Sequence, residues 1–334
     1  MRPSDRVVIV NTEFADAARA VGRDFTDLEL IVPGEAAAMS EAISGTSVIV
    51  TQTIPIAADL LAKASRLKLL LKMGRVYDHV DLDAVRARRV PFGLVPRKGP
   101  NCVAELALTL LLALSKDLVM AHRSVAEGAY RWRGLRPTKT SQRVIAFKWM
   151  QPVRLHELAG RVLGCVGFGE INCELSLRVR PLGMRVLYTR RRPLPPALEE
   201  RYGVAHRALA DLLEQSDYVC VAVPHTDETT HLIGADELRR IGPSGYLVNV
   251  ARGGVVDEAA LIEALRDGTI AGAGLDVFTS EPLPADSPLC TLDNVILTPH
   301  IGGGSGTSRE TELADTLAEA RAVLSGAPLR HPVV

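Results

Sequence analysis

The sequence predicts an α/β protein of two domains, each built on a doubly wound parallel sheet. Three observations predict it. Apolar strand-like segments alternate with helical ones through the first hundred residues. From Arg161 onward six short apolar strands are separated by helical patterns. A glycine-rich turn joins the first of those six to a helix, and strands alternating with helices select parallel sheets.

In the first half, strands are expected at Val7–Val10, Leu28–Val32, Ser47–Thr51 and Leu67–Met73, with helices around Ala15–Val21 and Ala36–Ile43. Val103, Leu106, Ala107, Leu110, Leu111 and Leu114 recur at helical spacing. They predict one long helix from about Asn101 to about Val125, with Asn101 as N-cap after Pro100. Arg131, Arg133, Arg136, Lys139, Arg143, Lys148 and Arg154 then crowd a stretch without an acidic residue. It reads as a solvated surface arm, or as a subunit contact or anion-attracting rim. The second-half strands are expected at Val162–Val166, Arg185–Tyr188, Tyr218–Val223, Tyr246–Val250, Ile270–Asp276 and Asn294–Thr298. A helix from Asp257 to Leu265 should take Asp257 as its N-cap, and a last helix should run from Thr307 to Leu324, ended by Gly326 and Pro328.

Composition limits the function classes. With 39 basic and 39 acidic residues the formal charge is zero, so no field drawing nucleic acid or a membrane surface is expected. Cys102, Cys165, Cys173, Cys220 and Cys290 form no Cys-x-x-Cys pair, which suits reduced, structural thiols in the cytoplasm and no metal site. The opening residues lack the apolar run of a secretory signal. The longest apolar stretch, Cys102–Leu114, is interrupted by Glu105 and Thr109 and is too short to span a bilayer.

The run from Arg161 to Asn172 reads as a strand, a glycine turn and a helix start. Gly167 permits the tight turn. Gly169 lets backbone approach a pyrophosphate lying at the helix N-terminus, where unsatisfied N–H groups and the positive dipole end meet it. Phe168, Glu170 and Ile171 complete this cradle. Asn172 stands where Gly-x-Gly-x-x-Gly has its third glycine, and a wider helix–strand contact is expected there. The next strand ends Tyr188-Thr189-Arg190-Arg191-Arg192, with no carboxylate to take a ribose 2′-hydroxyl. Thr189 and Arg190 at this basic turn favour NADP over NAD, because guanidinium suits a 2′-phosphate.

Three polar residues follow the carboxyl ends of later strands, the edge at which open α/β sheets bind ligands. They are Arg252, Glu281 and His300. Hydride transfer at a carbonyl needs a proton on the oxygen, and imidazole exchanges protons near neutrality. A carboxylate beside it stabilises the imidazolium. Arginine can hold a substrate carboxylate in fork geometry and polarise the carbonyl. Taken singly each has a bland reading as a loop or surface residue; together they form a complete set.

At these residues the chain resembles the D-isomer-specific 2-hydroxyacid dehydrogenase family. The resemblance rests on VAELAL at 103–108, GCVGFGEI at 164–171, NVARGGVVDEAAL at 249–261, AGAGLDVFTSEPLP at 271–284 and TPHIGG at 298–303. It implies two Rossmann-like domains, with a discontinuous substrate domain of residues 1–120 plus 301–334 and an NAD(P)-binding domain of residues 121–300. It implies His300 as acid/base, Glu281 as its partner and Arg252 as substrate anchor. Asp276 would lie near the nicotinamide or its ribose, and Val223, Pro224, Val250, Ala251 and Gly302 would line the cofactor cleft. A homodimer contacting through the long helix and the basic arm is also implied. Gly74, Arg75 and Val76 correspond to the loop that binds the substrate carboxylate. Val76 replaces a usual second glycine, and Arg75 falls where phosphite dehydrogenase has a substrate-contacting lysine. His79 is a further polar contact or a surface residue, and His225 a loop residue beside the cleft. The resemblance implies hydride transfer between nicotinamide and C2 of a small 2-oxo/2-hydroxy acid. Two alternatives stay open: a dinucleotide-sensing, corepressor-like binding protein, or an enzyme oxidising another small anion such as phosphite.

Overall fold

The computed structural model describes residues 5–34, 36–145, 155–304 and 308–334. The elements in chain order are β1 (Asp5–Ile9), α1 (Ala15–Val21), β2 (Leu28–Ile31), α2 (Ala36–Ser44), β3 (Val48–Thr51), α3 (Ala58–Lys63), β4 (Leu69–Met73), α4 (Leu82–Ala87), β5 (Phe92–Val95), α5 (Lys98–Ser115) and α6 (Leu118–Ala126). They continue with β6 (Val162–Val166), α7 (Glu170–Val179), β7 (Arg185–Thr189), α8 (Pro196–Tyr202), β8 (Val204–His206), α9 (Leu209–Gln215), β9 (Tyr218–Val221) and α10 (Ala235–Ile241). The last are β10 (Tyr246–Asn249), α11 (Glu258–Arg266), β11 (Gly272–Leu275), β12 (Val295–Leu297) and α12 (Arg309–Leu324).

The chain divides into two compact units, Met1–Cys102 with Gly303–Val334, and Val103–Gly302. The division therefore falls inside α5 and not at residue 120. The first unit holds a five-stranded sheet ordered β2-β1-β3-β4-β5, the second a seven-stranded sheet ordered β12-β11-β10-β9-β6-β7-β8. Every named strand pair is parallel. The inner strands are short aliphatic runs buried on both faces, as β3, β4, β6, β9 and β10 show. Such two-sided burial is what parallel strands covered by helices require.

In the first unit Val7, Ile9, Val48, Leu69 and Leu71 pack with Leu313 and Leu317 of α12. The edge strand β5 is covered by the end of the chain: Phe92 N–H donates to the Val334 carbonyl at 3.1 Å and Leu94 N–H to His331 at 2.9 Å. Pairing closes an edge that would otherwise offer free backbone groups. In the second unit Leu212, Val219, Leu238, Leu247, Leu261 and Leu275 belong to one core.

Three expectations need correction. The long helix is two, because Asp117 takes a left-handed conformation (φ 48°) between α5 and α6. Asn101 is not a cap: α5 starts at Lys98, which places Pro100 in the first turn, where its missing N–H is tolerated. Two strands, β5 and β8, were not expected. Asp257 does cap α11, its carboxylate accepting from Ala260 N–H. Ser308 caps α12 by accepting from Thr311 N–H, while Thr307 lies outside the described residues. Lys148 and Arg154 of the basic arm also lie outside them; Arg131, Arg133, Arg136, Lys139 and Arg143 are exposed. All five cysteines are free, and Cys165, Cys173 and Cys220 are buried. Among the described residues no helix is long and apolar enough to cross a membrane.

Candidate active site

The seven-stranded sheet reverses its chain order between β6 and β9. That reversal opens a crevice at the carboxyl edge, the usual ligand position of such sheets. Every segment singled out in this unit leaves that same edge.

The turn after β6 is built for close approach. Gly167 has φ +83°, and a Cβ there would stand 2.5 Å from Val223 Cγ1 and 2.9 Å from the Ala222 carbonyl oxygen. Its N–H donates to the Thr189 carbonyl at 3.0 Å, tying the turn to the end of β7. Phe168 turns its ring inward against Tyr188, 4.9 Å between centroids. Gly169 is the N-cap of α7 and supplies no side-chain cap; a Cβ on it would meet nothing within 4 Å. Gly169, with no side chain of its own, leaves the approach to the N-terminus of α7 open, with Glu170 and Ile171 in the first turn. This cradle fits a pyrophosphate. Asn172 is fully buried. Its Nδ2 donates to the Gly167 carbonyl at 2.6 Å and, more weakly, to the Cys220 carbonyl at 3.4 Å.

At the end of β7, Thr189 and Arg190 are half-buried, whereas Arg191 and Arg192 are exposed. The turn beyond is pinned by Tyr188, whose hydroxyl donates to Glu199 and accepts from Leu194 N–H, each at 2.7 Å. Burial first, and the Glu199 contact next, push that phenol up to about 12. It therefore stays a neutral donor. Val223 is half-buried and Pro224 exposed after β9, with His225 exposed beside Thr230 (Nε2 to Oγ1, 3.0 Å).

After β10, Val250 and Ala251 are buried. Asn249, which sequence reasoning passed over, holds this loop: its Oδ1 accepts from Ala251 N–H at 3.0 Å and its Nδ2 donates to the Arg252 carbonyl at 3.1 Å. Arg252 itself is exposed, with Nη1 donating to the Ala251 carbonyl at 2.6 Å. Gly253 is obligatory, because a Cβ there would overlap the Phe278 carbonyl group at 1.9 Å.

His300 and Glu281 meet. The imidazole Nδ1 lies 2.6 Å from Glu281 Oε2, and an ionised carboxylate can only accept, so Nδ1 carries the proton. Nε2 is then left for other chemistry. Glu281 Oε1 accepts from Phe278 N–H at 3.1 Å. The His300 contact, with the Phe278 N–H and the nearby Arg252 charge, holds the Glu281 carboxyl below the usual carboxylate range against an opposing effect of burial. The pair borders a cavity of about 600 Å³, otherwise walled by Phe278, Pro282, Leu283, Leu297, Thr298 and Pro299.

His300 has φ +53°, a region that residues other than glycine enter at a cost and that is enriched at functional positions. Asp276 keeps it there. Its buried carboxylate accepts from Thr298 Oγ1 at 2.6 Å and from the N–H groups of Ile301 and Gly302, each at 2.9 Å. The carboxylate expected near a nicotinamide is thus tied to the Thr298 hydroxyl before the histidine and to two backbone N–H groups after it. In the other unit, Gly74 (φ 107°) follows β4, its N–H donating to the Val95 carbonyl at 2.6 Å. Arg75 and His79 are half-buried there, and Val76 is buried.

A model of the D-isomer specific 2-hydroxyacid dehydrogenase NAD-binding domain matches residues 108–302. The chain belongs to the D-isomer-specific 2-hydroxyacid dehydrogenase family. It is 34% identical over 312 residues to a glyoxylate/hydroxypyruvate reductase B of Yersinia pseudotuberculosis, covering 92% of this chain and 90% of that one. It is 37% identical over 271 residues to a glyoxylate reductase of Korarchaeum cryptofilum, covering 80% and 76%. Its fold is similar to that of a D-mandelate dehydrogenase from Rhodotorula graminis, with a TM-score of 0.57 and 28% identity over 99% of this chain and 98% of that one. As a 2-hydroxyacid dehydrogenase it is an oxidoreductase that works with a nicotinamide cofactor, and the cradle after β6 has the features to hold it.

Proposed function

We propose that the enzyme reduces small 2-oxo acids of the glyoxylate and hydroxypyruvate class to D-2-hydroxy acids, and catalyses the reverse. The observation that carries this reading is the His300–Glu281 contact, on the same sheet edge as Arg252 and the glycine cradle. When bound, the nicotinamide supplies or accepts the hydride. His300 Nε2 gives a proton to the keto oxygen in reduction and takes it back in oxidation. Glu281 holds the imidazole through Nδ1 and leaves Nε2 for the substrate. Arg252 binds the substrate carboxylate and polarises the carbonyl. Gly167, Phe168, Gly169, Glu170 and Ile171 take the pyrophosphate, and Val223, Pro224, Val250 and Ala251 line the cofactor. Residues Met1–Cys102 with Gly303–Val334 serve as the substrate domain, in which Gly74, Arg75 and Val76 bind the anion.

The test is a turnover assay with glyoxylate, hydroxypyruvate and phosphite against NADPH, NADH and their oxidised forms. Oxidation of reduced cofactor by a 2-oxo acid is the expected result. Phosphite oxidation alone would move the reading to the other small anion, a choice that Arg75 would favour. Cofactor binding without any turnover would leave a dinucleotide-sensing protein.

The cofactor is NADP on this reading, because Arg190 stands at the β7 end and no carboxylate does. Arg190→Asp is expected to turn the preference toward NAD, with the NADP/NAD ratio of kcat/KM falling at least about tenfold, the scale of one charge-assisted hydrogen bond. An unchanged ratio contradicts the assignment.

Glu281→Gln removes the charge while keeping the shape. A carboxyl held below its usual range is fully ionised above that range, and its contribution is lost only as pH falls through the lowered value. In the wild type the carboxylate is therefore in place at neutral pH. Without it Nδ1 loses its ionised acceptor, so the pH profile of kcat/KM for reduction should lie about tenfold lower at neutral pH, the scale of one charge-assisted hydrogen bond. An identical profile in both proteins would remove Glu281 from this role.

The enzyme is further read as a cytoplasmic homodimer. α6 buries none of its own residues, and Leu118, Val125 and Trp132 around it are 55%, 55% and 81% exposed. Apolar surface of this kind suits burial against a second copy.

A further inference from the structure

We infer that Asn172 is a positioning residue for cofactor binding, bracing the glycine turn so that a peptide N–H is aimed at the pyrophosphate. The inference rests on the cofactor reading of the β6–α7 turn. A glycine at this position, as in the Gly-x-Gly-x-x-Gly pattern, could make no side-chain contact. Asn172 instead donates from one amide nitrogen to the carbonyls of Gly167 in the turn and Cys220 in β9. It therefore joins the first turn of α7, the loop and the strand on the far side of the switch point.

The consequence follows from peptide geometry. A trans peptide is planar, with its C=O and N–H pointing in opposite directions. Drawing the Gly167 oxygen inward to Asn172 turns the N–H of the same peptide, that of Phe168, outward. The brace also keeps a carbonyl oxygen, with its partial negative charge, away from the phosphates. The glycine torsion alone does not enforce this, since φ +83° at Gly167 is open to a residue that can rotate freely. The inward Phe168 ring, tilted against Tyr188, fixes the other side of the same peptide.

A second observation shows that the placement has a cost. Asn172 Oδ1 is buried without a hydrogen-bond partner. Leaving a buried acceptor unsatisfied opposes stability, so the side chain is not explained by stability alone. Its nitrogen is the part that acts.

The test compares wild type with Asn172→Ala and Asn172→Asp. Binding of NADPH and NADH is read by nicotinamide fluorescence. Binding of adenosine or adenosine 2′-monophosphate, whichever the wild type takes, is read by calorimetry, because these fragments lack the pyrophosphate. Melting temperatures verify folding. Asn172→Ala should weaken dinucleotide binding about tenfold, as loss of one oriented donor to a charged group would, with fragment affinity unchanged. Asn172→Asp adds a readout that a purely structural residue would not show. Its buried carboxyl can donate to the Gly167 carbonyl only when protonated. Dinucleotide affinity in that variant should therefore recover as pH falls, while wild type and Asn172→Ala show no such recovery. Equal losses for dinucleotide and fragment, or no loss for either, overturn the inference. A wild type that binds neither dinucleotide overturns the cofactor reading and the inference with it.

Discussion

Replacing His300 with alanine should lower kcat by about 10²–10⁴, the usual worth of a positioned acid/base, while dinucleotide affinity stays near the wild-type value. The separation of the two effects is the point. His300 lies at the far end of the sheet order from the glycine cradle, on the loop after β12, whereas the cradle follows β6. The pyrophosphate contacts therefore survive the substitution. What disappears is the proton donor at the keto oxygen, and a hydride delivered to an unprotonated carbonyl would leave an alkoxide without a partner. Asn in place of His would not restore the reaction, because an amide has no proton to exchange near neutrality. If His300→Ala loses cofactor binding in step with turnover, the residue holds the site together and does not act as the acid. A fluorescence titration beside steady-state kinetics separates the two.

The second large effect is expected at Arg252. Arg252→Ala should lower kcat/KM for a 2-oxo acid about 10²–10³, the range seen when one preorganised electrostatic donor is removed. The loop that presents this arginine is rigid for identifiable reasons. Asn249 bonds both Ala251 and Arg252 backbone groups, and Gly253 fits against Phe278 with no room for a side chain. The backbone that carries the guanidinium is thus fixed, and Nη1 donates to the Ala251 carbonyl. Arg252→Lys should recover only part of the loss, because an ammonium is a point charge and cannot present two parallel donors to a carboxylate. Full recovery by lysine would mean that charge alone, and not the fork, is used. No loss in either variant would mean that the substrate carboxylate is bound elsewhere.

Much of this was legible in the chain itself, and the parts that were not share a cause. Strands such as β6 and β9 announce themselves because four or five consecutive apolar residues need burial on both faces. β8 is three residues long and β5 contains Gly93. Both are edge strands whose pairing partners decide them, so local pattern carries little signal. The break at Asp117 had no glycine or proline to mark it, and a left-handed aspartate is tolerated without either. The glycine turn and the Arg252, Glu281 and His300 set follow from residue type and position after strands. The bracing residues do not. Asp276 reaches the Thr298 hydroxyl and the Gly302 N–H across 22 and 26 positions, and Asn172 reaches Cys220 across 48. Such contacts exist only after folding has brought the strand ends together. A polar residue at the carboxyl end of an apolar strand, as Asn249 and Asp276 both are, was the available signal.

The central claim is that a protonated imidazole meets a keto oxygen while Arg252 grips the adjoining carboxylate. A crystal structure with reduced cofactor and oxamate, an unreactive analogue of a 2-oxo acid, would test it most directly. The account predicts His300 Nε2 at hydrogen-bond distance from the analogue's carbonyl oxygen, about 2.6–3.2 Å, with Nδ1 still on Glu281 and the Arg252 guanidinium on the carboxylate. An analogue bound with its carbonyl oxygen turned from His300, and with Arg252 unengaged, would contradict it.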